Sequence, residues 1–468
     1  MPSEKALKSR ISRLERQLDR LRISPSLRLG VHITTAMRQP WRAPFLPITL
    51  PWQMLMIGLE MLGRRPVPEI AVSEDNAQIE DSMIESKPDE PSQNSFTPEP
   101  NNTVVMFPTN GVGFGHFTRM LALAKRMKAA DSELEVIFFT TMPTLHLLKP
   151  HGIPAHYISG PKYFRDIDSS GWNALVEEEL TLCLETHRPK MFIFDGAFPY
   201  RGMLRSVKAH SNMSKVWMRR GTFRKGSSIP VDSIAHFDLI VHPQDSVPLA
   251  PSEINHSVEI LTCPPIVLLD EDELIERTSA RRRLGVPLDA RVVYVQLGAG
   301  EINDIHSEIR LTIEALVAHN DVHVVLGESM IGDRLNVNLE RVHLIRDYPN
   351  SMYFRGFDAT VLAGGYNSFH ETRTFGLAAL FYPNMNTGMD DQLARCNVAS
   401  EEGWGRVLVN RDAESIPPAI DDLLSRIGVD SLSQDMEGAR QLASDLLLYE
   451  GKLRKPTGTG PVLSGSPI

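Results

Sequence analysis

Short apolar runs alternate with longer stretches of helical periodicity from residue 103 onward. The runs form two series, separated by a proline-containing junction near residue 264. The predicted strands are 104–107, 136–140, 191–194, 216–218 and 239–241 in the first series, and 292–296, 322–325, 342–344, 359–362 and 379–382 in the second. Strands that alternate with helices predict parallel, doubly wound sheets, and the restart predicts two Rossmann-like lobes of an α/β protein. We place these lobes at 103–264 and 265–450.

A different pattern occupies the first 22 residues. Apolar residues recur there at alternating steps of four and three, as in the a and d positions of a coiled coil: Leu7, Ile11, Leu14, Leu18 and Leu21. The pattern predicts a short helix over 1–22 that pairs through residues 5–22 with a second copy of the chain or with another helix. Docking of the same amphipathic helix on the folded body is the alternative.

Residues 23–66 combine tryptophans, prolines and arginines. Trp41 and Trp52 lie among aliphatic residues, while Arg38 and Arg64 stand on either side of them. This composition is typical of a segment that lies in the interface of an anionic membrane, and packing against the folded body is the alternative. If the first interpretation holds, the full chain sediments with anionic vesicles at low salt.

Charge and composition change again after this segment. Residues 67–102 are acidic and rich in proline and serine, with almost no aromatic residues, which predicts a disordered linker. We also predict a flexible tail over 451–468.

The chain of 468 residues carries a formal net charge of -9. This balance disfavours nucleic acid as a partner, because nucleic-acid binders usually present a broad basic face. Cys183, Cys263 and Cys396 show neither metal-ligand spacing nor an even count, which indicates reduced, buried thiols. The sequence has no signal-peptide pattern and no apolar run of ~18 residues. We therefore expect a cytoplasmic protein, located at the inner face of the cell membrane if residues 23–66 contact lipid.

The first glycine-rich motif lies between the first predicted strand and the helix after it. Gly111, Gly113 and Gly115 let a ligand approach the backbone, and the helix N-terminus favours negative charge. A dinucleotide site is the alternative, but it would need an acidic residue near Thr140, at the end of the second strand. His116 follows the glycines, and its imidazole can either remove a proton from a hydroxyl or make a structural hydrogen bond.

The second glycine-rich motif follows the predicted strand 359–362. Gly364 and Gly365 would expose backbone amides at a helix N-terminus, a setting suited to a diphosphate. Asn367 and Ser368 can donate to phosphate oxygens or cap the helix. Glu371, one turn further along, can accept two hydroxyl hydrogens, as from a ribose. An ordinary capped helix with a charged solvent face is the alternative.

Further polar residues follow other predicted strands. Asp391 and Gln392 combine a carboxylate with an amide, which suits sugar hydroxyls but equally suits a helix cap. Asp195, at the end of the strand 191–194, can orient the histidine, act as the base itself, or merely close a turn. Arg219 and Arg220 can neutralise an acceptor phosphate or a leaving diphosphate, or form a solvated edge.

The two motifs in this order resemble those of the GT-B glycosyltransferases. The segment 364–371, with 376–380 and 391–392 after it, is most similar to the group that contains the bacterial N-acetylglucosaminyl transferase of lipid II synthesis (glycosyltransferase family 28). Residues 365–371 also resemble the G-W-N-S-x-x-E core of UDP-glucuronosyl- and plant glucosyltransferases. The likeness extends over residues 103–411. Where the UDP-sugar signature carries a histidine against the phosphate, this chain has Ala363.

The resemblance implies a role for each motif. His116 would be the base, beside an acceptor loop made by Gly111, Gly113 and Gly115. The donor nucleotide sugar would be held by Gly298, Gly300, Gly364, Gly365, Tyr366, Asn367, Ser368, Glu371, Asp391 and Gln392. Within this set Glu371 would hold the ribose hydroxyls, and Asp391 with Gln392 would hold the sugar.

These observations predict a hexosyltransferase that inverts the anomeric centre. It would move a sugar from a UDP-linked donor to the hydroxyl of a glycan or lipid-linked acceptor in cell-envelope polysaccharide or glycolipid synthesis. We expect neither a metal nor a cofactor, because the helix that starts near Asn367 would stabilise the leaving diphosphate. A nucleotide-sugar epimerase of the same fold and a non-catalytic scaffold are the alternatives.

Overall fold

The computed structural model describes residues 29, 44, 46–61, 99–109, 113–160, 163, 167–219, 231–248, 258–298, 305–328, 337, 339–385, 387, 390–428 and 437–453. The predicted coiled coil over 1–22, almost all of the predicted linker and the end of the predicted tail lie outside these residues. Gly111, Gly300 and Arg220 lie outside them as well. The chain divides into two compact units, Met1–Glu99 with Phe164–Trp172, and Pro100–Tyr163 with Asn173–Ile468.

Helix α1 (Leu46–Met61) makes up most of the described part of the predicted membrane-contacting segment. Trp52, Met54 and Leu55 are exposed on it, whereas Ile57 is buried. Within the described part of the chain, no helix has both the length and the apolar character needed to cross a bilayer. The predicted contact of this segment with a membrane surface therefore stays a prediction.

The second unit contains two parallel sheets. The seven-stranded sheet, in the order β3-β2-β1-β4-β5-β6-β7, consists of β1 (Asn101–Pro108), β2 (Glu135–Thr140), β3 (Ala155–Tyr157), β4 (Pro189–Asp195), β5 (Ser214–Met218), β6 (Leu239–Pro243) and β7 (Glu259–Cys263). The six-stranded sheet, in the order β10-β9-β8-β11-β12-β13, consists of β8 (Arg291–Gln296), β9 (Val322–Gly327), β10 (Val342–Ile345), β11 (Ala359–Ala363), β12 (Ala378–Tyr382) and β13 (Gly405–Val407). The predicted pair of doubly wound sheets is confirmed.

Helices cover the faces of both sheets, as parallel strands require. Around the first sheet they are α2 (Gly115–Ala130), α3 (Ser169–His187), α4 (Arg201–Lys208) and α5 (Val231–Ile234). The remaining helices are α6 (Arg277–Leu284), α7 (Ile305–Val317), α8 (Tyr366–Thr374), α9 (Gln392–Glu401), α10 (Ile416–Ser425) and α11 (Gly438–Leu453). The central strands are buried along their length; β4 is buried at all seven positions.

The last helix returns to the first sheet. α11 packs against α2, and Leu442, Ala443 and Leu446 are buried in the same apolar core as Met120 and Leu123. The sequence-based boundary assigned residues up to 450 to the second lobe. The apolar face of α11 instead completes the core beneath the first sheet.

Candidate active site

A histidine, an aspartate and an arginine meet at the carboxyl end of the first sheet. β1 and β4 are neighbouring strands, and Pro108 at the end of β1 lies opposite Asp195 at the end of β4. The chain continues from β1 into α2, which brings the start of α2 close to Asp195. His116 Nδ1 is 2.7 Å from Asp195 Oδ1. Arg119 donates to both carboxylate oxygens, from Nη2 at 2.7 Å and from Nε at 3.1 Å. The structure thus places Asp195 against His116, as one of the predicted roles of Asp195 requires.

This contact pattern fixes the tautomer of His116. Nδ1 lies 3.0 Å from Arg119 Nη2 as well as 2.7 Å from Asp195 Oδ1, and it cannot both accept from the first and donate to the second. The ionised carboxylate of Asp195 can only accept, so the shorter contact is an Nδ1–H donor to Asp195 Oδ1. The lone pair then lies on Nε2, the nitrogen that a general base uses.

Asp195 is suited to stabilise a positive imidazole. Its side chain is 1% exposed, and burial alone would raise the pKa of the carboxyl. The charge of Arg119 and the hydrogen bond with His116 outweigh burial and hold the pKa of Asp195 below its usual range. Asp195 is therefore ionised near neutrality, in contact with both His116 and Arg119. Sequence reasoning missed Arg119, although its position three residues after His116 on one helix places both on the same face.

Three glycines face open space where strands of the two sheets end. A Cβ added to Gly113, Gly298 or Gly365 would meet no atom of the described residues within 4 Å. Gly298 also has a φ of +105°, which a side chain would strain. By contrast, a Cβ on Gly364 would collide with Cys396 Sγ, so this glycine serves packing. Open space at the other three suits a ligand that approaches the backbone.

Helix α8 begins at this opening. Gly365 is its N-cap residue and provides no side chain to cap the first amides. Asn367 lies in the first turn. Its Nδ2 makes a long contact of 3.5 Å with the Gly115 carbonyl, which links the second glycine motif to the first. Among the described residues, its buried Oδ1 has no hydrogen-bond partner. Ser368, also in this turn, is partly buried.

The side chain of Tyr366 is engaged with the protein itself, and its donor contact stays a prediction. Its side chain is buried, and its hydroxyl donates to the Gln244 carbonyl at 3.0 Å and accepts from the Ile266 amide at 3.2 Å. The guanidinium of Arg119 lies 5.3 Å from the ring centroid. These contacts show that Tyr366 holds the second glycine motif against the first lobe.

Asp391 and Gln392 are engaged with the protein itself. Asp391 is the N-cap of α9, and its Oδ1 accepts from the Ala394 amide at 3.0 Å. Gln392 Oε1 accepts from the Asn384 amide at 2.9 Å. Asp391 therefore caps a helix in this structure, as the alternative interpretation expected. The contact of Asp391 with a sugar stays a prediction. Arg219 is buried at the end of β5, so it is not part of a solvated edge.

No protein-family model matches this sequence, and no curated protein matches it either. Solved structures do match. The calicheamicin glycosyltransferase CalG4 superposes with a TM-score of 0.52 at 15% identity, over 76% of this chain and 100% of that chain. The glycosyltransferase of kitacinnamycin gives 0.51 at 14% identity, over 75% and 100%. A protein described as a UDP-N-acetylglucosamine 2-epimerase from Listeria monocytogenes gives 0.51 at 12% identity, over 76% and 98%.

The chain has the GT-B fold. At these identities the likeness concerns the fold alone, and it covers about three quarters of the chain.

A buried ion-pair network crosses between the two lobes of this GT-B fold. Arg395, on α9, is 0% exposed and pairs with Asp245, which follows β6, at 2.6 Å. The same guanidinium pairs with Asp390 at 2.6 Å and donates to the Gly364 carbonyl at 2.7 Å. His370 Nε2 lies 3.2 Å from Asp245 Oδ1. The sequence analysis did not predict this network, which fixes the loop before α8.

Glu371 lies on α8 and is partly buried. Ser351 Oγ donates to its Oε1 at 2.9 Å. Burial raises the pKa of the Glu371 carboxyl to about 7, and the Ser351 hydrogen bond opposes this only in part. Between pH 6 and pH 8 the group therefore passes from mainly protonated to mainly ionised.

We expect the affinity for a nucleotide sugar to rise about 10-fold from pH 6 to pH 8, because only the ionised Glu371 accepts two ribose hydroxyls. Glu371→Gln should bind about 1–3 kcal/mol more weakly at pH 8 and lose the pH dependence. Calorimetry with UDP-glucose measures both effects, because its phosphates do not titrate in this range. Glu314→Gln, at an exposed position on α7, is the matched control. Equal affinities of the folded Glu371→Gln variant and the parent chain at both pH values would remove Glu371 from the site.

Proposed function

We propose that the protein is an inverting glycosyltransferase that moves a sugar from a nucleotide sugar to an acceptor hydroxyl. The observation that carries the proposal is the His116–Asp195 pair, which lies beside the first glycine motif, with the start of α8 within reach of Gly115. A base and an anion-binding helix start are the two groups that an in-line displacement needs on opposite sides of the anomeric carbon.

The proposed reaction begins at Nε2 of His116. This nitrogen takes the proton of the acceptor hydroxyl while the oxygen attacks the anomeric carbon, and Asp195 stabilises the imidazolium that forms. The bond from the anomeric carbon to the nucleoside diphosphate breaks on the other side of the sugar ring. The first amides of α8, at Gly365 and after it, stabilise the departing diphosphate. Attack from the opposite face inverts the anomeric configuration.

Several finer points belong to the same proposal. The likeness of residues 365–371 to UDP-sugar motifs supports a UDP-linked donor. Helix starts and backbone amides can take the place of a metal at the diphosphate, which supports a metal-independent, cofactor-free reaction. The motif group that the sequence most resembles supports a cell-envelope glycan or lipid-linked acceptor, and hence action in the cytoplasm, at the inner face of the membrane.

A nucleotide-sugar epimerase is the second candidate. Its support is the epimerase from Listeria monocytogenes, which superposes on this chain as well as the kitacinnamycin glycosyltransferase does, each with a TM-score of 0.51. The two reactions leave different products. A transferase separates the sugar from the nucleotide, whereas an epimerase returns a nucleotide sugar that is altered at a ring carbon.

Product analysis tests the proposal. The full chain is incubated with UDP-N-acetylglucosamine, UDP-glucose and dTDP-glucose in turn, and the mixtures are followed by proton NMR. With water as a slow acceptor, we expect an α-linked donor to release the β-anomer of the free sugar first, together with the nucleoside diphosphate. A new nucleotide-linked epimer would favour the epimerase. Tight binding of a donor with no conversion under any condition, including addition of glycan and lipid acceptors, would favour the scaffold.

A further inference from the structure

A histidine pair and a buried thiol meet where helix α3 approaches the edge strand β3. His156, in β3, and His187, the last residue of α3, place their Nε2 atoms 2.9 Å apart. Cys183 lies one turn before His187 and is fully buried. One ligand atom from each of the three residues lies within 4.8 Å of the other two. Two imidazole nitrogens and a sulfur therefore surround one point.

Neutral imidazoles and a thiolate are the forms of these side chains that bind metals. The Cys183 thiol would therefore exchange its proton for the cation on binding.

We propose that His156, Cys183 and His187 form a binding site for a zinc ion. Two imidazoles and one thiolate are a ligand set that Zn²⁺ favours, in tetrahedral geometry. The spacing of four residues between Cys183 and His187 puts two ligands on one face of α3, and His156 supplies the third from the strand.

The fourth ligand is water or a carboxylate. Glu179 lies one turn before Cys183 on α3, and its charge acts on His156. On binding, two neutral imidazoles and the thiolate sulfur donate to the ion, and the thiol proton leaves to solvent.

This site is separate from the residues proposed for sugar transfer. Its ligands come from β3 and the end of α3, whereas His116 and Asp195 come from the start of α2 and the end of β4. β3 has only three residues and, among the described strands, pairs only with β2. A zinc ion would tie this short edge strand to the helix that leads into β4, so its expected effect is on stability.

Cobalt titration of the untagged full chain tests the site, because the absorption spectrum of bound Co²⁺ depends on the identity and geometry of its ligands. We expect a thiolate-to-cobalt charge-transfer band and the visible absorption of tetrahedral cobalt, saturating at one ion per chain and lost on addition of Zn²⁺. Zinc calorimetry in buffers of different ionisation enthalpy should show release of about one proton per ion. Zinc should also raise the melting temperature by a few degrees.

Two variants decide the assignment. Cys183→Ser should abolish the charge-transfer band. His187→Asn, at a partly exposed position, should weaken zinc binding at least 10-fold, and it keeps the test available if Cys183→Ser does not fold. The matched control is His323→Asn, which removes one ring of a second pair, His323 Nδ1 and His343 Nε2 at 3.1 Å. It should leave the band unchanged. Cobalt binding without a thiolate band, or a zinc affinity that His187→Asn leaves unaltered, would overturn the proposal.

Discussion

Replacing His116 with alanine is expected to lower turnover by about 10²–10⁴-fold while nucleotide-sugar binding survives. Asp195 holds the imidazole at 2.7 Å through Nδ1. The change should therefore remove the proposed proton acceptor, while the residues proposed to bind the donor stay in place. Steady-state rates of sugar release or transfer measure the first effect, and calorimetry with the nucleotide sugar measures the second. His146→Ala is the matched control, since His146 is exposed in a short helical turn and belongs to neither glycine motif.

Asp195→Asn separates the two roles of this pair. An amide can still contact Nδ1, but it neither stabilises the imidazolium nor favours the tautomer with its lone pair on Nε2. Turnover should therefore fall in this variant as well, without loss of donor affinity. If His116→Ala keeps full turnover while Asp195→Asn has none, Asp195 is the base and the assignment of roles must be exchanged.

The parts of the fold that the sequence predicted are those with continuous burial. Strands such as β4 and β9 read as apolar runs because both faces of a parallel sheet are covered. The strands that were missed are β3, β7 and β13, which lie at the sheet edges. β3 and β13 have three residues each, and β7 carries exposed or half-exposed side chains, so none of them has enough apolar periodicity to be recognised.

The candidate site divides in a similar way. His116 and Asp195 could be found because each stands where a predicted strand ends, and parallel topology brings such ends to one edge. The function of Asp391 could not be decided, because a capping carboxylate and a sugar-binding carboxylate occupy the same position in the sequence. The pairing of Asp245 with Arg395 joins residues that are 150 positions apart, and no local pattern reports such a contact.

The three residues of the proposed zinc site are not adjacent in the sequence. Cys183 and His187 are four residues apart, a spacing that places two ligands on one helix face, yet two ligands alone do not indicate a metal. The third ligand, His156, lies on an edge strand that the pattern did not predict. Only the fold brings it beside the other two.

Replacing Arg395 with methionine is expected to lower the free energy of unfolding by about 3–5 kcal/mol, because the change leaves buried carboxylates without their cation. Asp245 is 4% exposed and Asp390 is 15% exposed, and both pair with Arg395 at 2.6 Å. Burial by itself would raise the pKa of Asp245, but the charge of Arg395 and the hydrogen bond with His370 hold it well below its usual range. This pair therefore contributes stability above the pKa of an unfolded aspartate, and that contribution is lost as the pH falls through the folded value.

The pH dependence of the loss in unfolding free energy tests this prediction. In Arg395→Met the stranded carboxylates can take up protons as the pH falls, so the deficit relative to the parent chain should be larger at pH 7 than at pH 4.5. Urea denaturation followed by intrinsic fluorescence at both pH values measures it. Arg291→Met is the matched control: its pair with Asp321 is also bidentate, but Asp321 is 62% exposed, so the loss should stay below about 1 kcal/mol. A deficit in Arg395→Met that is equally small and does not change with pH would mean that the buried network does not hold the two lobes together.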